Sequence, residues 1–425
     1  MKVERALNLL PAIDAMPSVR ALLLSTDVTG VSGALRIGVN ETVGKRDITA
    51  TELRERMRPE FDRVIEHLAS LYASYFSAVE ALDGGAPESA VRSLVTAGQS
   101  EQALGRVEQA QVWYQAALDV AEGLVDRKPE IETLLALGAL TRWLDFYDDS
   151  TRRYRRALVL AESVFDTRSA VSACIGLGLL LVEQEAWPGA DAWLARAMRL
   201  AERTGDDACI AEVSHHQAEA ARRHGDFTEA TTALEVARSK FEELGSALEM
   251  ARVLTTQGLV FADLNLAARA EATYVEALAW VQVAKGNDAL EAFIRYNHAK
   301  LHVSGGRFHE AEAEIRRAER LAVKHNQLRR LAQLYTLLGN LRGRQGDEAG
   351  FVFFEQALQL ARMINRRPAI EAQVYHEYGL FAMAMHQTED GKAYLRRARE
   401  IFDVLGLQAE ADRVLVDMRR TSGAG

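Results

Sequence analysis

Proline, cysteine and long apolar runs are all scarce in this 425-residue chain. With 7 prolines, few points forbid a helix. β-Branched residues are few beside Ala, Leu, Glu and Arg, which are strong helix formers, so a nearly all-α fold is expected. Two cysteines, Cys174 and Cys209, are too few for a disulfide framework and read as small buried residues in a reducing compartment. The absence of an eighteen-residue apolar run argues against a membrane-spanning helix. The net charge of −9 lacks the basic field of a nucleic-acid binder, so no direct nucleic-acid partner is expected. Lys2, Glu4 and Arg5 before a short apolar stretch do not make a secretion signal, and a cytoplasmic location is expected. The basic residues are 43 Arg and 8 Lys, a skew that fits a GC-rich bacterial genome.

Chemistry-bearing motifs are absent too. The chain has no glycine-rich phosphate loop, no nucleophile elbow and no His-Glu-x-x-His, so neither an enzyme nor a bound cofactor is expected. His215 and His216 are adjacent rather than four apart; on a helix their rings are expected to diverge, which disfavours a shared metal. No metal site is expected.

What the chain does have is a small residue every forty positions: Gly98, Gly138, Gly178, Ala218, Gly258, Ala299, Gly339 and Gly379. A second series follows nineteen positions later, at Ala117, Ala157, Ala197, Ala237, Ala277, Ala318, Ala357 and Ala398, except that Ala357 follows Gly339 by eighteen. Two phased series mean one supersecondary unit repeated eight times and stacked. Around Ala218, small and apolar residues recur at helical spacing until Gly225-Asp226 interrupts them. A second amphipathic stretch follows, with Leu234, Ala237, Phe241 and Leu244 on one stripe, and Gly245 suits its left-handed end. Gly205-Asp206, Gly286-Asn287-Asp288 and Arg367-Pro368 separate units, while Gly105, Gly306 and Gly346-Asp347 mark internal turns. The unit is helix–turn–helix. The first small residue sits where the two helices of a pair cross closely, and the second where one unit meets the next.

These residues resemble the tetratricopeptide repeat superfamily. Unit one supplies Gly98, Gly105, Ala110, Tyr114 and Ala117; unit five supplies Gly258, Ala270, Tyr274 and Ala277; unit six supplies Gly306, Ala311, Ile315 and Ala318. The likeness spans about residues 88–405. The period is forty rather than thirty-four, the early Trp and late Pro of the pattern are missing, Ser150 replaces an Ala, and Gly350-Phe351 disturbs unit seven. The resemblance implies an all-α, right-handed superhelical solenoid whose first helices line a concave groove.

The expected division is an irregular arm over 1–48, an amphipathic helical segment over 49–86, eight repeats over 87–405, and a capping helix with a frayed tail over 406–425. The stripe from Phe61 through Phe76 to Leu82 reads either as a cap on the first repeat or as a homo-oligomer face. Counting from each small residue, the groove-facing candidates are Arg142, Trp143, His215, His216, Glu219, Arg222, Arg223, Tyr296, Asn297, Lys300, Asn340, Arg344 and His376. Arg forks and Asn amides suit a peptide's carboxylates and backbone, although the same residues also suit a merely solvated wall. The expected function is a non-catalytic scaffold or adaptor that binds a protein or peptide. Two alternatives stand beside it: a sensor whose superhelix answers a ligand and controls a partner, and a structural subunit of a larger assembly.

Overall fold

A computed structural model describes residues 74, 77–103, 106–364 and 368–422. The arm over 1–48, the stripe over 61–73 with Tyr75 and Phe76, Gly105 and Arg367 lie outside the described residues. Every element among the described residues is a helix. In chain order these are α1 (Pro87–Ala103), α2 (Val107–Ala121), α3 (Lys128–Trp143), α4 (Tyr147–Ser163), α5 (Thr167–Glu183), α6 (Trp187–Thr204), α7 (Asp207–His224), α8 (Phe227–Glu243) and α9 (Ala247–Asp263). They continue as α10 (Ala267–Val283), α11 (Asp288–Ser304), α12 (Phe308–Lys324), α13 (Leu328–Arg344), α14 (Gly350–Met363), α15 (Pro368–Ala384), α16 (Thr388–Val404) and α17 (Gln408–Ser422). Among the described residues, those up to 140 together with 152–169 form one compact unit, and 141–151 together with those from 170 onward form another.

The turns explain the period. From Asp145 to Gly346 a residue of positive φ recurs at steps of twenty or twenty-one, through Phe165, Glu185, Gly205, Gly225, Gly245, Asn265, Lys285, Gly306 and Asn326, and again at His386 and Gly406. Turns inside a unit and turns between units are therefore the same device used twice per forty residues. At Gly225 (φ 94°) the Asp226 amide reaches back to the Ala221 carbonyl at 2.9 Å, closing α7. The Asp226 carboxylate then accepts the Glu229 amide at 2.9 Å, opening α8. Asp206 and Asn287 cap α7 and α11 in the same way.

The phased small residues sit where the helices of a pair meet. A Cβ added at Gly258 would lie 2.5 Å from the Tyr274 ring, and one at Gly339 would lie 2.5 Å from Phe354. Gly98 stands against Tyr114 and Gly138 against Tyr154 in the same manner. Where the facing residue is Leu234 or Ile315, alanine fills the place, as Ala218 and Ala299, and each pair shares a core cluster. All eight alanines of the second series are completely buried. Ala237 clusters with Met250 and Val253 of the next unit, and Ala398 with Ala411 and Val414. In the repeat that departs from the pattern, Gly350 leaves room for the Phe381 ring.

At the start of the described array, Ala78 and Val79 are buried against α1 and α2, so the end of the preceding helix covers the first repeat. At the other end α17 runs from Gln408 to Ser422. No helix among the described residues is long and apolar enough to cross a membrane.

Candidate functional site

From α7 onward, each first helix touches the first helix that follows it in the array, up to α17. Along this row the candidate side chains divide into those tied to their own chain and those left free.

The ties repeat with the period of the array. Arg142 at the end of α3 donates to Glu183 at 2.5 Å, forty-one residues on; Trp143 beside it is half-buried. Buried His215 shares a 2.9 Å hydrogen bond with Thr256 of α9, again forty-one residues on. Arg222 donates to Asp263 at 2.6 Å, across the same interval. Arg344 reaches backwards to the Val303 and Ser304 carbonyls at 3.3 and 3.4 Å, a cation at the carbonyl end of α11. Asn340 donates to Glu377 at 3.0 Å, and buried His376 pairs with Asp417 of α17 at 2.9 Å. Asn297 is buried and returns its amide to the Phe293 carbonyl of its own helix at 2.9 Å. Tyr296 lies under the Arg330 guanidinium at 5.2 Å, which also covers Phe293 at 4.6 Å. Burial brings Arg330 down to about 10 and pushes the Tyr296 hydroxyl up.

Four candidates differ. Arg223 of α7 and Lys300 of α11 are exposed, and neither side chain makes a hydrogen bond or close ion pair. His216 and Glu219 form a loose pair at 3.6 Å, with Glu219 still two-fifths exposed. Burial raises the Glu219 carboxyl, but His216, His215 and Arg223 outweigh it and hold the group near about 2. Burial draws His215 down to about 4, helped by His216 and Arg252 and opposed by Glu219. The His215 and His216 rings do not diverge: their centroids lie 5.6 Å apart at an interplanar angle of 22°. This part of α7 presents an ionised Glu219 beside the exposed Arg223.

The residue-by-residue reading missed the partners. Glu183, Thr256, Asp263 and Asp417 each stand forty-one positions from their partner, a spacing visible once the period is known. It also missed Glu271, His298 and His302, whose donor atoms fall within 4.8 Å of one another. The four-residue step from His298 to His302 was the available signal.

No family model matches the chain, and no curated protein is significantly similar to it. Solved structures are similar in fold. The Rap conjugation gene regulator of plasmid pLS20, in complex with the Phr* peptide, is 15% identical, with 68% of this chain and 78% of that chain covered, at a TM-score of 0.51. A Rap protein complexed with competence and sporulation factor is 14% identical over 96% and 100% of the two chains, at 0.48. A signal-transduction ATPase with numerous domains and a tetratricopeptide repeat sensor, from Pyrococcus horikoshii, is 14% identical over 82% and 55%, at 0.49. The chain has the fold of a tetratricopeptide-like helical repeat array.

Proposed function

We propose that the chain is a non-catalytic holder of peptide segments, which it binds along the row of first helices. Arg223 and Lys300 receive carboxylates of the peptide, and the fixed Glu219 anion receives an amide or a cation. The observation that carries this reading is the division along the row: Arg142, Arg222 and Arg344 are bonded within the chain, while Arg223 and Lys300 stand exposed and unpaired. The similar fold of a gene regulator solved with a peptide supports it, and favours a regulatory output over a passive scaffold.

A peptide-display selection against the full chain tests it. Acidic peptides are expected to be enriched, and a synthetic copy should bind Arg223→Glu/Lys300→Glu at least about tenfold more weakly, as expected when desolvated charge pairs become repulsive. Enrichment of no peptide, or equal binding to the double variant, would overturn the reading. If the output is regulatory, saturating peptide should also compact the chain in small-angle scattering.

A further inference from the structure

The junction of α10 and α11 holds a cluster for which the peptide reading has no use. His298 and His302 stand four residues apart on α11, which places them on one face of the helix. Their ring centroids are 4.2 Å apart. Both residues are more than nine-tenths buried, with 6% and 4% of their surface exposed. Neither ring nitrogen of His298 has a hydrogen-bond partner, nor does Nδ1 of His302. Native proteins rarely leave buried nitrogens in this state unless something else satisfies them. Across from them on α10 lies Glu271, with one donor atom from each of the three residues within 4.8 Å of the others.

We propose that Glu271, His298 and His302 bind a late first-row divalent transition metal, with Zn²⁺ the expected occupant. Two imidazoles and one carboxylate make a three-ligand set with a fourth position open to water. Magnesium and calcium want oxygen ligands, so the two imidazoles select against them. Burial lowers the affinity of both rings for protons, which favours the neutral form that a metal requires. Glu310 and Glu314 also lie near the rings, but Glu271 is the carboxylate whose oxygen falls within 4.8 Å of a nitrogen of each.

Arg307 decides how the site works. Its guanidinium donates to both Glu271 oxygens, at 2.9 and 2.8 Å, and so neutralises the carboxylate when no ion is bound. Glu271 and Arg307 are each about one-third exposed, which gives an ion a route from solvent. A metal arriving there takes one carboxylate oxygen from Arg307, and the arginine turns outward. Binding then joins the last helix of the fifth repeat to the first helix of the sixth through the ion.

The test uses the full, untagged chain, titrated with zinc sulfate by calorimetry and with cobalt chloride by visible absorption. One equivalent of zinc is expected to bind and raise the Tm, cobalt should give the absorption of a tetrahedral site, and magnesium chloride should give no binding heat. The site should disappear in His298→Gln/His302→Gln. Glu271→Gln should bind at least about tenfold more weakly, since losing even an outer partner of a ligand costs that much. Arg307→Gln should bind more tightly, because a competitor has gone; a chance pair of histidines would not respond in that way. If the double histidine variant does not fold, the opposite responses of Glu271→Gln and Arg307→Gln decide. Zinc uptake equal in the wild type and the double variant would overturn the proposal, as would weaker binding by Arg307→Gln.

Discussion

Units four and five differ at the same place in the same motif. In unit five Gly258 lies against the ring of Tyr274, with no room for a Cβ. In unit four Ala218 packs in one cluster with Leu234. The four glycines of the first phased series that face an aromatic ring, at 98, 138, 258 and 339, would put a Cβ within 2.8 Å of it. Alanine occupies the seam only opposite leucine or isoleucine, at 218 and 299. An aromatic ring on the second helix therefore leaves no room for a side chain on the first, whereas leucine is met by alanine at 218 and by glycine at 178 and 379, where a Cβ would lie 2.9 and 2.7 Å from Leu194 and Leu395. A few residues further along α7 the constraint changes from shape to charge, and partners are chosen one repeat away.

The largest expected effect breaks the seam. Gly258→Leu should cost about 3 kcal/mol or more from overpacking, read by denaturant unfolding. An unchanged midpoint would contradict this register. Gly258→Ala sharpens the point: in an ordinary helix that change gains about 1 kcal/mol, whereas here a net loss is expected.

Next in size is an effect of pH on unit four. His215 is held at about 4 in the folded chain, with His216 and Glu219 on its own helix and Arg252 of α9 around it. Above about pH 6.5 the ring is neutral in both states. Between 6.5 and 4 the unfolded chain takes up a proton that the folded chain refuses, so stability falls with acidification. Over that window the wild type should lose about 3 kcal/mol more than His215→Gln. Parallel pH curves for the two proteins would count against a buried neutral His215.

Smaller effects test the reverse of the seam rule and the ties. Ala218→Gly should cost about 1 kcal/mol, because the helix loses propensity and no ring is waiting to fill the space. Arg222→Ala breaks a half-exposed pair with Asp263 and should cost about 0.2–1 kcal/mol. Arg223→Ala, which breaks no hydrogen bond and removes only a distant attraction to Glu219, should leave stability within about 0.5 kcal/mol.

The seam was readable from sequence because sterics repeat: each small residue answers a local crossing, and the crossing returns every forty positions. The ends of α7 and α8 were readable for the same reason, through Gly225-Asp226 and Gly245. The polar row was legible only in part. Helical counting put Arg222, Arg223, Asn340 and Arg344 on first helices, but a side chain's partner one repeat away is invisible to counting within a unit. Arg222 and Arg223 are neighbours in sequence and opposite in state, one bonded to Asp263 and the other free. The His298–His302 step was legible as one face of a helix, but Glu271, which completes the cluster, lies on the preceding helix and is invisible to counting along α11.

The most direct measurement is an anisotropy titration of a display-selected peptide against wild type, Arg222→Ala and Arg223→Glu/Lys300→Glu, with Tm recorded for each. The account predicts that the double variant keeps the wild-type Tm and binds at least about tenfold more weakly, while Arg222→Ala loses some stability and little affinity. Equal affinity across the three proteins would contradict it.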